Sequence, residues 1–171
     1  MRIRPGDMAD LPAIMTMFDE AIAWMVSRGN TRQWGTEPWS TQPEKVASIR
    51  KRVEEADLWL AEVGGVPVGT LITDDKPNVY VNPVDEPELF VTLLLVSRGH
   101  AGREIGARLL AHARTLAAAK GVVLIRVDCY RGEDEQLIRY YERNGFVRTH
   151  QILVGEWPGQ VLEQRLPATS R

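Results

Sequence analysis

The sequence has little of what builds disulfides, metal centres or nucleic-acid interfaces. A single cysteine, Cys129, among 171 residues excludes an internal disulfide and a multi-cysteine metal site. The three histidines, His100, His112 and His150, are scattered without the spacing of metal ligands, so no metal is expected. The formal net charge of −2 provides no basic surface, and we expect no nucleic-acid partner.

Long apolar runs are scarce as well. No stretch approaches the roughly 20 apolar residues of a membrane span, and the first residues contain no apolar segment of the secretory type. We therefore expect a soluble, cytoplasmic protein without a membrane partner. Hydrophobic residues make up 44% and charged residues 26% of the chain, as in ordinary globular proteins. The length favours a single domain over residues 1–171.

The most informative stretch runs from Leu89 to Leu110. Its first eight residues are nearly all apolar, which is typical of a strand buried on both faces. A loop with Gly99, Gly102 and Gly106 follows, and apolar residues at helical spacing begin at Ile105. Backbone N–H groups and the helix dipole at such a helix start favour an anion such as phosphate. The alternative is a tight turn in which the glycines serve only the backbone.

The rest of the chain predicts alternating helices and strands. The order, roughly βααβββ(β)αβαββ, predicts an α/β fold with a mixed sheet and helices on both faces. The expected elements besides the central stretch are a strand at Ile3, a helix capped by Asp10 and stopped at Gly29, a helix opened by a capping box at 41–44, a hairpin of strands 58–63 and 66–73, a short strand around 79–81, a strand at 122–127, a helix at 133–143, and closing strands at 146–154 and 160–166.

Two segments together resemble the GNAT superfamily of acetyl-CoA-dependent N-acyltransferases. The segment VSRGHAGREIGARLL is similar to the family's [R/Q]-x-x-G-x-[G/A] loop, and LIRVDCYRGEDEQLIRYYERNGF ends in its Tyr-x-x-x-Gly-Phe. The resemblance implies a GNAT fold, in which a mixed, mostly antiparallel sheet is splayed between two central strands. It also implies acetyl-CoA as the acyl-donor cosubstrate. Two loop positions depart from the pattern, because Ala101 replaces Arg or Gln and Glu104 replaces the middle Gly.

The resemblance also implies the residues that hold acetyl-CoA. Backbone groups near the end of the central strand would pair with the pantetheine arm, and loop N–H groups would bind the pyrophosphate. Asp134 stands where the family often has an Asn near the cofactor, although it could equally be a charge at a helix start. A carboxylate at Glu104 would repel the pyrophosphate unless it points to solvent. The implied cofactor residues are Leu94, Leu95, Val96, His100, Ala101, Gly102, Arg103, Glu104, Ile105, Gly106, Ala107 and Asp134.

Direct acyl transfer to an amine needs a neutral amine and a proton for the departing thiolate. Tyr141 falls on the family's general-acid tyrosine, although the same residue could simply belong to a buried helix face. Asp128, at the end of its strand, is the first candidate for the general base, and Glu88 is the second. Either could instead be structural. Cys129 has no histidine beside it in the sequence, so a covalent acyl-cysteine route is not expected.

The loop after the first helix would supply the acceptor site. It holds Trp34 and Trp39 with Glu37 between them, which favours a small-molecule amine over an anionic or large basic acceptor. The alternative is that both tryptophans plug a gap over the core. Because members of the family often pair through their last strands, a homodimer is left open.

Other functions explain less of the sequence. Asp128 lies 22 residues after Gly106, as the acidic residue of a dinucleotide-binding unit would, but the glycines are spaced G-x-x-G-x-x-x-G. A P-loop is excluded, because no Gly-Lys-Ser/Thr is present. The alternative that remains is a GNAT-fold module that binds an acyl-CoA or another small ligand as a sensor, with weak or no catalysis.

Overall fold

The computed structural model describes residues 1–168, which divide into two compact units. Unit 1 comprises residues 1–72 and 93–109, and unit 2 comprises residues 73–92 and the chain from 110 onward. The elements in chain order are β1 (Arg2–Pro5), α1 (Leu11–Ser27), α2 (Pro43–Glu55), β2 (Asp57–Val63), β3 (Val66–Asp74), β4 (Glu88–Val96), α3 (Ile105–Ala119), β5 (Leu124–Tyr130), α4 (Gln136–Arg143), β6 (Val147–Val154) and β7 (Trp157–Arg165).

In unit 1 the strands follow one another in chain order. Strand β1 is antiparallel to β2, and β2 and β3 form the predicted hairpin. Its two-residue turn is Gly64-Gly65, where both residues have positive φ angles of 59° and 79° that glycine adopts at little cost. The far side of β3 neighbours β4, and the N–H of Ser97 donates to the carbonyl of Val68 at 2.8 Å.

In unit 2 the order departs from the chain order. The first half of β4 is parallel to β5, with Glu88 opposite Leu124 and Val91 opposite Val127. Strand β5 then pairs antiparallel with β7, and β7 with β6. Strand β4 contributes residues to both units. The strand order of the sheet is β1-β2-β3-β4-β5-β7-β6. The predicted mixed α/β sheet is therefore confirmed.

The core of unit 1 forms where α1 and α2 cover the strands. The predicted apolar face of α1 is buried throughout, and it packs with residues of α2 and β2. Each fully buried large apolar side chain contributes roughly 1.5–3 kcal/mol. The buried residues of this face include Leu11, Ile14, Met15, Phe18, Ile22 and Met25.

The two predicted helix caps have different outcomes. Asp10 is the N-cap residue of α1, as predicted, but its carboxylate makes no capping hydrogen bond. It pairs with the guanidinium of Arg4 at 2.7 Å and accepts the N–H of Asp7 at 3.0 Å. At the second helix, Thr41 lies in a short 3-10 helix and its hydroxyl donates to the carbonyl of Pro38. Helix α2 therefore begins at Pro43, whose fixed φ angle suits a first helical residue.

Unit 2 also differs locally from the prediction. Residues 79–81 form a turn rather than a strand, with Val79 exposed and Val81 buried. Helix α4 begins three residues later than expected, because Glu135 adopts a left-handed conformation with φ of 53°. The last hairpin turns at Gly155 and Glu156, so that Trp157 already belongs to β7. None of the described helices is long and apolar enough to cross a membrane.

Candidate functional site

The glycine-bearing loop of unit 1 joins β4 to α3. A short 3-10 helix at 98–100 follows the strand. Two backbone N–H groups of this turn already have carbonyl acceptors within it. The N–H of His100 donates to the carbonyl of Ser97 at 2.9 Å, and that of Ala101 to the carbonyl of Arg98 at 3.3 Å. Helix geometry leaves the N–H groups of the first turn of α3 without intrahelical acceptors. The loop N–H groups suited to an anion are therefore those of 102–107.

The loop is fixed at its helical end by close packing. Ile105 is buried, and it lies over Gly69 on β3. A Cβ atom on Gly69 would stand 2.9 Å from Cγ2 of Ile105 and 3.1 Å from Cδ1 of Leu109, closer than side chains tolerate. The absence of that Cβ lets α3 approach the strand, and so sets the position of the helix start.

Glu104 has a left-handed backbone conformation, with φ of 58°. This is the region that glycine occupies readily and that costs other residues about 1 kcal/mol or more. The residue stands where the loop of the resembled family has its middle glycine, and its backbone has a conformation that glycine adopts readily. Glu104 is exposed. Because water screens its carboxylate, its repulsion of a bound anion is limited.

The start of the loop is tied to α1. The guanidinium of Arg98 stacks on the indole of Trp24 at 3.7 Å, and that of Arg28 lies 5.4 Å from the same ring. The hydroxyl of Ser97 donates to the carboxylate of Glu20 at 3.1 Å. Two guanidinium groups on one indole bring positive charge to the beginning of the loop. In β4 itself Leu95 is buried, while Leu94 and Val96 are half-buried.

In unit 2, Tyr141 lies on the buried side of α4. Only 6% of the residue is exposed, and its ring contacts those of Tyr140 and Phe146 edge-on, at centroid distances of 5.5 and 5.6 Å. Burial raises the pKa of the Tyr141 hydroxyl well above 10. The phenol therefore stays protonated at neutral pH, as a proton donor must.

The carboxylate of Asp128 is held by two residues of the connection between β3 and β4. The side-chain amide of Asn78 donates to one oxygen at 2.8 Å, and the hydroxyl of Tyr80 donates to the other at 3.1 Å. Sequence reasoning missed Asn78 and Tyr80, because a connection without regular structure gives no register from which to place its side chains. The available signal was a tyrosine in an otherwise polar, proline-bearing segment.

Tyr80 is one of three aromatic rings that lie together. The Trp157 ring lies 6.4 Å from Tyr80 and 5.8 Å from Tyr130, at interplanar angles of 60° and 44°. Gly159 makes room for the indole, because a Cβ there would stand 2.6 Å from Cζ3 of Trp157. We refer to Asn78, Tyr80, Asp128, Tyr130 and Trp157 as the Asp128 cluster.

Glu88 is placed differently from Asp128. It is the first residue of β4, 5% exposed, and its Oε2 accepts from Nε and Nη2 of Arg126 at 3.1 and 2.8 Å. The same guanidinium donates to the carbonyl of Asn82 at 3.0 Å. Burial raises the pKa of Glu88, although Arg126 acts against this. The arrangement is that of a buried structural ion pair, so the general-base role of Glu88 stays a prediction that this geometry does not favour.

The two tryptophans predicted to line the acceptor site pack on Phe18 of α1. The ring of Trp39 stacks on Phe18 at 4.6 Å, and Trp34 lies 5.0 Å from it. The indole N–H of Trp39 donates to the carbonyl of Trp34 at 3.0 Å, and Nζ of Lys45 lies 4.7 Å from the Trp39 ring. We refer to Phe18, Trp34 and Trp39 as the Phe18 cluster. These contacts favour the plug over the core, while Glu37 remains exposed on the same loop.

Two further residues bear on the site. The carboxylate of Asp134 accepts the N–H of Gln136 at 3.3 Å at the start of α4, and its contact with the cofactor stays a prediction. Burial raises the pKa of the Cys129 thiol to about 12, so it is not a nucleophile at neutral pH. In the part of the chain that the structure describes, no three His, Cys, Asp or Glu residues are grouped to hold a metal ion.

Comparison with known proteins establishes the family. The sequence model of the Acetyltransferase (GNAT) family matches residues 20–146. The chain belongs to the GNAT acetyltransferases. It is therefore an acyltransferase of the acetyl-CoA-dependent class. No curated protein sequence matches the chain.

Solved GNAT structures share the fold at low sequence identity. PaiA N-acetyltransferase from Thermoplasma acidophilum, in complex with coenzyme A, has a TM-score of 0.72 and 14% identity over 96% of this chain and 98% of that one. Ribosomal-protein-alanine N-acetyltransferase from Brucella melitensis has a TM-score of 0.67 and 19% identity over 97% and 100%. An aminoglycoside 6'-N-acetyltransferase complexed with coenzyme A has a TM-score of 0.66 and 12% identity over 99% and 100%.

Proposed function

We propose that this GNAT acetyltransferase transfers an acetyl group from acetyl-CoA directly to an amine of a small molecule. The observation that supports the proposal is the loop into α3, where Glu104 has a left-handed backbone conformation that glycine adopts readily. That conformation directs the chain into a helix start whose N–H groups suit a pyrophosphate. We assign the pyrophosphate to the N–H groups of 102–107 and the pantetheine arm to the backbone of 94–96.

Tyr141 is the proposed general acid. When the amine nitrogen attacks the thioester carbon, a C–N bond forms and the C–S bond breaks, and the phenol donates its proton to the departing thiolate. The raised pKa of Tyr141 keeps that proton in place until it is needed. The proton lost by the amine passes to solvent, from which the phenolate recovers its own. No acyl-enzyme is involved, which agrees with the buried and un-ionised thiol of Cys129.

The acceptor class is supported by two kinds of observation. Aminoglycoside 6'-N-acetyltransferase, a small-molecule enzyme by its name, shares the fold over the whole chain. The net charge of −2 favours a cationic acceptor over an anionic one. A cytoplasmic location and a homodimer also stay predictions, and size-exclusion chromatography with light scattering tests the second.

Calorimetric titration with acetyl-CoA, followed by a free-thiol assay over a panel of small amines and lysine-containing peptides, tests the function. We expect micromolar binding of acetyl-CoA and release of coenzyme A only with small amines. The matched pair Tyr141→Phe and Tyr140→Phe should separate catalysis from packing, since only the first loses turnover. Binding without turnover on any amine would instead favour an acyl-CoA-binding module, and absence of binding would refute the proposal.

A further inference from the structure

One side of α1 contacts the point where β4 passes into the glycine-bearing loop. Glu20 and Trp24 are four residues apart on α1, and Arg28 follows at its C-cap, so their side chains lie on the same side of the helix. Glu20 contacts Ser97, the residue after β4, and Trp24 contacts Arg98, the first residue of the 3-10 helix. All five residues belong to unit 1.

The guanidinium of Arg98 is held by an indole rather than by an acid. It lies 3.7 Å from the centre of the Trp24 ring, which is a stacking distance, whereas the guanidinium of Arg28 lies at 5.4 Å. Among the residues that the structure describes, Arg98 forms no ion pair, and its Nε is buried without a hydrogen-bond partner. A planar guanidinium stacks on an aromatic face and is attracted by the quadrupole of the ring. The orientation of Arg98 therefore depends on Trp24.

The loop is held at both of its ends. At its start, the backbone N–H of Ser97 donates to the carbonyl of Val68 on β3 at 2.8 Å, and its hydroxyl donates to the carboxylate of Glu20 at 3.1 Å. At its end, Ile105 is buried over Gly69. Between these two points the contact of Arg98 with α1 is the first one that the side chains of the loop make. Release of that contact would free the chain from residue 98 onward.

We propose that Trp24 is a positioning residue for acetyl-CoA, and that it keeps the loop in its anion-binding arrangement by stacking on Arg98. The inference rests on the proposed function and deepens it, because it names a side chain outside the loop that sets the affinity for the cofactor. Gly102 and Glu104 have left-handed φ angles of 80° and 58°, and a loop released at its start exchanges these for other conformations. The apparent affinity then falls with the fraction of molecules whose loop is still competent to bind.

Calorimetric titration with acetyl-CoA measures the expected loss of affinity. We expect Trp24→Leu to raise the Kd about fivefold, as for a loop that is competent in about one molecule in five. Arg98→Gln should give a similar loss, and Arg98→Lys a smaller one, because an ammonium group still binds the face of an indole. The double variant should be no weaker than the weaker single variant, since both changes break one contact. Arg28→Gln removes the same charge from the same ring but not from the loop, and should change the Kd less than about twofold.

Three further measurements separate positioning from a general loss of stability. Amides of residues 99–104 should exchange hydrogen faster in free Trp24→Leu than in free wild type, and saturating acetyl-CoA should remove most of the difference. S-acetylpantetheine, which has the thioester arm but no phosphate, should keep its KM in Trp24→Leu. Trp39→Leu changes another half-buried tryptophan of unit 1, and should lower the melting temperature without changing the Kd for acetyl-CoA.

The outcomes distinguish this inference from the proposed function. Equal Kd values for wild type, Trp24→Leu and Arg98→Gln would overturn the inference and leave the function intact. A loss in Arg28→Gln as large as that in Arg98→Gln would also overturn it, because the effect would then be one of charge alone. Binding that depends on Trp24, without turnover on any amine, would support the inference and refute acetyl transfer to a small molecule. Absence of binding by the wild type would refute the proposed function and the inference together.

Discussion

Each compact unit contains an aromatic cluster, and the two clusters differ in what surrounds the rings. In the Phe18 cluster of unit 1 the rings pack on a buried core, and the indole N–H of Trp39 is used by a backbone carbonyl. In the Asp128 cluster of unit 2 the hydroxyl of Tyr80 points at a carboxylate. The ring centroids are 4.6–5.5 Å apart in the Phe18 cluster and 5.8–6.4 Å apart in the Asp128 cluster, so the first is packed more closely.

The difference indicates that the polar neighbours of an aromatic residue are a better guide to its role than its exposure. Trp39 and Trp157 are both half-buried. The first packs on the hydrophobic core, while the second lies near Tyr80, whose hydroxyl donates to the carboxylate of Asp128. Asp128 is half-buried, and its carboxylate accepts hydrogen bonds from Asn78 and Tyr80, so this cluster combines aromatic rings with a charged group. The following variants test this division of the two units.

The largest effect is expected on the free energy of unfolding, at the buried ion pair of Glu88 and Arg126. Glu88→Gln leaves the buried guanidinium of Arg126 without its counter-charge, and should lower the free energy of unfolding by about 3 kcal/mol. Chemical denaturation measures the change. Because Glu88 is assigned no catalytic role, kcat measured well below the melting temperature should stay within about twofold. A hundredfold fall in kcat would restore the general-base hypothesis for Glu88.

Tyr141→Phe should have the second largest effect, on catalysis alone. Loss of the proton donor is expected to lower kcat about 100-fold, equivalent to about 2.7 kcal/mol, while the ring and its contact with Phe146 remain. Steady-state kinetics with a fixed amine measures this. Since burial raises the pKa of Tyr141 well above 10, the wild-type rate should show no loss with an apparent pKa near 10. A descending limb at that pH would contradict the assignment.

In contrast to Tyr141→Phe, Trp39→Ala should lower stability and leave catalysis unchanged. Removal of a half-buried indole stacked on Phe18 is expected to cost about 2 kcal/mol of unfolding free energy. The KM for the amine should stay unchanged, because the Phe18 cluster is assigned to the core. Trp39→Phe, which keeps an aromatic ring, should recover about half of the loss. An amine KM raised tenfold in a folded Trp39→Ala would revive the predicted acceptor site at Trp34, Glu37 and Trp39.

The sequence predicted those parts of the molecule that depend on neighbouring residues in the chain. The strand–loop–helix at 89–110 and the buried face of α1 follow from local periodicity, and both are present. Asp10 occupies the predicted N-cap position of α1, but its carboxylate pairs with Arg4 and does not cap the helix. The predicted capping box of α2 was wrong, because the hydroxyl of Thr41 donates to the carbonyl of Pro38.

The Asp128 cluster was not predictable in the same way. Asn78 and Tyr80 lie 50 and 48 residues from Asp128 in the chain, and no periodicity relates an irregular connection to a distant strand. Asp128 itself was identified from its position at a strand end. Its partners Asn78 and Tyr80 are brought to it only by the folded chain.

The smallest effect is expected at Glu104, where charge and backbone conformation can be separated. Glu104→Gln removes the charge and keeps a side chain at a φ of 58°, whereas Glu104→Gly also relieves the left-handed conformation. We expect Gln to tighten acetyl-CoA binding about twofold at low salt, with the gain lost near 0.5 M salt as the charge is screened. Gly should bind about as tightly as Gln, because relieved strain and the greater freedom of glycine in the unfolded chain change the free energy of unfolding rather than the affinity of the folded loop. Calorimetric titration of the three proteins at two salt concentrations measures the contribution of the charge, and chemical denaturation measures that of the backbone. Weaker binding by both variants would mean that the glutamate itself contacts the cofactor, and that this loop recognises acetyl-CoA differently from the glycine-bearing loops it resembles.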